Sequence, residues 1–107
     1  MHTNSNTADA VPIAKKFLKK ATFGALVMNI RESDNISQAE LARRIGVTRQ
    51  FLHAIENEKR AGNVDFAIKV AHSLGYPDNV FIEVCLNDLL RRSGVNKIVE
   101  LKYQKIA

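Results

Sequence analysis

SQAELARRIGVTRQFLHAIENEKR, residues 37–60, decides the fold of this chain. Ser37-Gln38-Ala39-Glu40 reads as a capping box. The Ser37 hydroxyl accepts from the Glu40 N–H, and the Glu40 carboxylate is expected to reach back to the Ser37 N–H. Leu41, Ala42 and Ile45 then fall on one face of a short helix. Gly46 follows, where a helix ends most easily on a left-handed residue. Thr48 is placed to cap a second helix from Arg49 to about Asn57, with Phe51, Leu52 and Ile55 as its apolar residues. Two helices joined by so tight a turn, Gly46-Val47, cannot lie antiparallel. They cross steeply, as a helix-turn-helix unit. Small Ala42 permits their close approach, and Val47 plugs the angle between them.

Upstream, Ile13, Phe17, Phe23, Leu26, Val27 and Ile30 recur at helical intervals, ending at Ser33-Asp34-Asn35. One long helix fits this pattern. So does a short leading helix with Pro12 in its first turn, followed by a main helix starting near Thr22. Residues 1–11 are polar and without apolar period, and read as disordered. Downstream, Asn63 can cap a helix to Leu74 that buries Phe66, Ile68, Val70, Ala71 and Leu74. Pro77-Asp78 opens a last helix to about Arg92, closed by Gly94. That helix is apolar over more than one face, so Val80, Phe81, Val84 and Leu89 are candidates for contact with a second chain. In the tail, Val99, Leu101 and Tyr103 alternate with Glu100 and Lys102. A short strand and a helix both fit.

The 107 residues allow one domain. With 46% hydrophobic and 25% charged residues, the composition is that of a folded chain without a membrane span or a secretion signal, and a cytoplasmic location is expected. A single cysteine, Cys85, excludes an internal disulfide and a Cys-based zinc motif, and reads as a buried small hydrophobe. No glycine run cradles a nucleotide, and no cofactor is expected. His2, His53 and His72 fall in three different elements, so neither a metal site nor a catalytic cluster is visible, and an enzyme is disfavoured. The net charge is +5. The segments 1–20 and 95–107 carry +3 and +2, while 21–60 and 61–94 carry +1 and −1. Basic ends around a near-neutral middle suggest arms that assist a more specific surface for an anionic partner.

The register of Gln38, Ala42, Gly46-Val47, Leu52 and Ile55-Glu56-Asn57, with AHSLGYP after the fourth helix, closely resembles the lambda-repressor/Cro-type helix-turn-helix family. The similarity covers roughly residues 20–92. Two features depart from it: Phe51, where many members carry a small polar residue, and the basic extension before the first main helix. The resemblance implies an all-α, five-helix domain that binds operator DNA as a dimer. The expected layout is a basic extension over 1–20, the DNA-binding domain over 21–93 and a tail over 94–107. The last helix, opening Pro77-Asp78-Asn79-Val80-Phe81, looks like that of the controller proteins of restriction–modification operons. Similar domains occur in antitoxins and phage repressors.

In such a unit the third helix enters the major groove. Arg49 and Gln50 stand at its start, suited to guanine and adenine edges respectively. His53 lies one turn on, and Ala54 is near the same face and suits a thymine methyl. The resemblance implies that Gln38 and Thr48 clamp phosphates, with Lys59, Arg60 and Asn63 as further phosphate contacts. It also implies that Arg31 and Glu56 form a partly buried ion pair, a structural rather than a DNA-binding role. Arg43 and Arg44 fit either phosphate contacts or solvated charges on the second helix, with the solvated reading preferred. For Lys15, Lys16, Lys19 and Lys20, phosphate contact and a solvated basic face are equally supported. The reading that follows is a sequence-specific transcription regulator, a homodimeric repressor on a two-fold related site in double-stranded DNA. The alternative is an antitoxin that binds a toxin protein and its own operator. A basic membrane binder would have no use for the helix-turn-helix register.

Overall fold

The structure, a computed structural model, describes residues 21–102. The expected disorder of 1–11, the helical pattern before Thr22 and the lysines Lys15, Lys16, Lys19 and Lys20 lie outside the described residues, as does Tyr103. Among the described residues five helices follow one another: α1 (Phe23–Ser33), α2 (Gln38–Ile45), α3 (Arg49–Glu56), α4 (Val64–Leu74) and α5 (Asp78–Arg92). Among the described residues there is no strand, and the fold is the all-α one expected.

Local chemistry sets the starts of four helices. The side chains of Thr22, Ser37, Thr48 and Asn63 accept from the backbone N–H groups of Ala25, Glu40, Phe51 and Phe66, at 2.8–3.1 Å. Each satisfies a donor that the first helical turn otherwise leaves unpaired. Gly46 ends α2 with φ +75°, and its N–H and that of Val47 bond back to the carbonyls of Arg43 and Ala42. That left-handed residue turns the chain directly into α3. The second half of the expected capping box is absent. The Glu40 carboxylate turns instead to Arg43 and Arg44, one turn along the same helix face. Two cations three and four residues on outcompete a single backbone N–H, and they hold the carboxyl down at about 2.

Phe23, Val27, Leu41, Leu52, Ile55, Val70, Phe81, Val84 and Cys85 fill the interior. The start of α1 lies against the end of α3 at Gly24, where a Cβ would collide with the Ile55 carbonyl oxygen. α5 packs chiefly on α4, and this corrects the expectation for the last helix. Phe81 and Val84, expected at a dimer interface, are each 2% exposed and belong to the core of the single chain. Leu89 packs partly against that core, and only Val80, 42% exposed, faces solvent. Helix α5 uses its apolar stripe to close its own domain against α4 and α1.

The tail takes the form of neither a strand nor a helix over 95–102. It runs back along α5, held by side chains. Buried Asn87 donates to the Val99 carbonyl at 3.1 Å and accepts from the Val99 N–H at 2.8 Å. Glu83 accepts from the Leu101 N–H at 2.8 Å. The Asn87 amide thus supplies what a neighbouring strand would have supplied. At the end of α5, Arg92 bonds Asp88 and the Glu58 carbonyl, and Thr22 donates to the Glu58 carboxylate. These bonds tie both α5 and the start of α1 to the loop after α3.

Candidate nucleic-acid interface

Helix α3 has two unlike faces. Leu52, Ile55 and Glu56 are buried, whereas Arg49, Gln50 and His53 are exposed and Ala54 is half-buried. The spacing produces this division. Positions 52, 55 and 56 lie toward one side of a 3.6-residue helix, and 49, 50 and 53 centre about 110° round from them, on a side that faces away from the core. Thr48 fixes the start of α3, and Gly46 sets its angle to α2. Three polar side chains therefore project from one short helix braced from behind by the core. The Asn57 amide packs on His53, with Nδ2 3.2 Å from its ring nitrogens, while donating to the His53 carbonyl at 2.9 Å. Sequence reasoning gave Asn57 no part here. Its spacing of four from His53 was the available signal.

Behind α3 lies a polar network. Arg31 Nε and Nη2 bond the Glu56 oxygens Oε2 and Oε1 at 2.7 and 2.9 Å, and Arg31 Nη1 donates to the Ile36 carbonyl at 2.7 Å. The hydrogen bond and charge of Glu56 push the arginine pKa further up. Gln38 joins the same carboxylate, its Nε2 donating to Glu56 Oε1 at 2.9 Å. One N–H of the Gln38 amide is therefore committed inward. The other remains for an outside acceptor. Thr48 and Asn63 likewise use their side-chain oxygens as acceptors for helix starts, which leaves the Thr48 O–H and the Asn63 NH2 as donors. Arg43 and Arg44 pair with Glu40 on the solvent side of α2.

The loop after α3 brings the remaining basic residues alongside. The backbone N–H groups of Lys59 and Arg60 bond the Ala54 carbonyl at 2.9 and 3.3 Å. Both side chains stand exposed beside α3. The Arg60 guanidinium lies over the Phe51 ring, 4.6 Å from its centroid. Gln38, Thr48, Arg49, Gln50, His53, Lys59 and Arg60 thus gather around α3. Asn63 lies beyond the loop, at the start of α4.

A helix-turn-helix family model matches residues 27–81, just over half of the chain. The chain belongs to the lambda-repressor/Cro-type helix-turn-helix family. This is a DNA-binding regulatory family, and the domain is that of a DNA-binding transcription regulator. The match runs from inside α1 to the fourth residue of α5, so it includes both helices of the helix-turn-helix and the loop that carries Lys59 and Arg60. No curated protein and no solved structure matches the chain. Among the described residues no helix is long and apolar enough to cross a membrane, and no three His, Cys, Asp or Glu side chains are grouped to hold a metal.

Proposed function

We propose that this helix-turn-helix protein is a repressor that binds a two-fold related operator as a homodimer, inside the cell. The observation that carries the reading is the exposed row Arg49, Gln50 and His53 on a helix whose other face is core. Arg49 and Gln50 read guanine and adenine edges, His53 a third position, and Ala54 a thymine methyl. The donors of Gln38 and Thr48, with Lys59, Arg60 and Asn63, take phosphates on either side. The first-turn N–H groups of α2 support them, as at other anion-binding helix starts. The proposed dimer surface is the solvent face of α5 and the tail. With Phe81 and Val84 in the core, it consists of Val80, the outer part of Leu89, and the exposed Val95, Ile98 and Leu101. Repression by occlusion of polymerase needs nothing beyond such a dimer.

Selection of bound duplexes from a random pool tests this. The expected product is a palindrome with half-site centres about one helical turn, ~34 Å, apart. Gln50→Ala is expected to relax selection at one position per half-site, at a cost of about 1–3 kcal/mol, with an unchanged melting temperature. A pool that never enriches a sequence would remove the specific-regulator reading.

A further inference from the structure

Phe51 packs against the core on one side only. It is half-buried on the recognition helix, and its outer face carries the Arg60 guanidinium. Its inner side meets Phe66 edge-on, with centroids 5.5 Å apart and planes at 64°. Phe66 in turn meets Phe23 at 6.0 Å and 72°. A column of three rings therefore runs from the core at Phe23 to the surface at Phe51, and an arginine closes its outer end. The backbone adds a second restraint, because the Arg60 N–H bonds the Ala54 carbonyl within α3 itself. The left-handed Glu58, φ +62°, makes the fold-back that brings Arg60 there.

We propose that Phe51 is a positioning residue for DNA binding, which pre-sets Arg60 beside α3 so that its guanidinium meets the duplex backbone already ordered. This rests on the reading of Arg60 as a phosphate contact. An arginine side chain on an open surface samples many rotamers, and immobilising them on binding weakens affinity. A guanidinium stacked on a ring keeps its rim N–H groups exposed while its flat face is occupied, so the order is gained without loss of donors. Phe51 contributes no hydrogen bond of its own, and its effect on DNA passes through Arg60.

The test is a double-mutant cycle on binding to the duplex selected by the wild-type chain, with melting temperatures and salt dependence recorded for every variant. Arg60→Ala is expected to reduce the magnitude of the salt slope by about 0.9, one phosphate contact. Phe51→Leu is expected to weaken binding about two- to fivefold, the size of an exposed cation–π contact. In the Arg60→Ala background the same Phe51→Leu change should cost nothing further. An equal loss in both backgrounds would overturn the proposal, since Phe51 would then act through the fold or touch DNA itself. Should the leucine variant unfold, Phe51→Met replaces it. Arg60→Lys, with the ring intact, gives an independent reading: the slope is retained and affinity falls two- to fivefold, because lysine keeps the charge but loses the flat stacking face. Unchanged affinity for Arg60→Lys also overturns it. If the wild-type chain binds no duplex even at low salt, the DNA reading fails as a whole. An additive cycle on a chain that binds sinks only the role of Phe51.

Discussion

The Arg31 guanidinium closes on both oxygens of the Glu56 carboxylate, at 2.7 and 2.9 Å, across 25 residues of chain. The Glu56 side chain is 0% exposed and that of Arg31 is 9% exposed. Glu56 ends α3 and Arg31 lies in the last turn of α1, so the pair locks α3 to α1. The pair is the one the family resemblance implies for Arg31, and all three of its donating nitrogens are turned inward. Arg31→Ala leaves an enclosed carboxylate with only Gln38 as partner, and is expected to cost about 3–5 kcal/mol of stability. Denaturant melts measure it. A variant that melts like the wild type yet loses DNA affinity would return Arg31 to the interface.

Gly24 offers a sharper contrast with general helix rules. Glycine to alanine inside a helix ordinarily stabilises by about 1 kcal/mol. Here the added methyl would meet the Ile55 and Glu56 carbonyl oxygens, which are backbone atoms and cannot swing aside. Gly24→Ala is therefore expected to destabilise by about 1–3 kcal/mol, the usual range for overpacking. Thermal unfolding decides the sign, and a raised melting temperature would mean that α1 does not pack this closely on α3.

At the other end of the molecule, Asn87 binds the tail through both halves of its amide. Asn87→Ala removes two hydrogen bonds and leaves the Val99 groups to find water, at an expected cost of about 1–3 kcal/mol. Loss of hydrogen-exchange protection should centre on the Val99 amide. The Leu101 amide, held by Glu83, should follow if the tail detaches as a unit. Full protection at Val99 in the variant would show that the amide is not what holds the tail.

Cys85 is 1% exposed, and burial, helped by the nearby Asp88 charge, pushes its thiol up to about 11. The nucleophilic thiolate is therefore scarce at pH 8. The folded chain should react with a disulfide reagent only as fast as it opens, and denaturant should release full reactivity. The unfolded thiol ionises first, near 9, so the folded state is expected to lose stability as pH rises from about 9 toward 11. Rapid labelling at pH 8 without denaturant would contradict this burial.

The helix starts were legible in the sequence because each cap acts over three residues. Ser37, Thr48 and Asn63 all accept from the N–H three positions on. The turn at Gly46 was legible for the same reason. The capping box was only half right, since Arg43 and Arg44 compete for Glu40 over an equally short range, and local pattern does not rank the two outcomes. In the last helix the pattern named the apolar residues but not their neighbours. Phe81 and Val84 could have faced a second chain until α4 was seen to cover them. The exposed row of Arg49, Gln50 and His53 follows from the helical period alone, and the structure adds Asn57 on His53 and the Phe51–Arg60 stack beside it.

By itself the sequence determined the helices, their caps, the steep turn and the two faces of α3, because hydrogen bonds within one helical turn and a 3.6-residue period are properties of neighbouring residues. Only the tertiary structure decided that Gly24 must be small, that Asn87 holds Val99 and that Arg60 rests on Phe51, whereas the Arg31–Glu56 pair is the one the family resemblance implies. Those relationships join residues distant in the chain or separated by a loop fold-back. Their energies depend on where two backbones come to lie, and no local pattern encodes that distance.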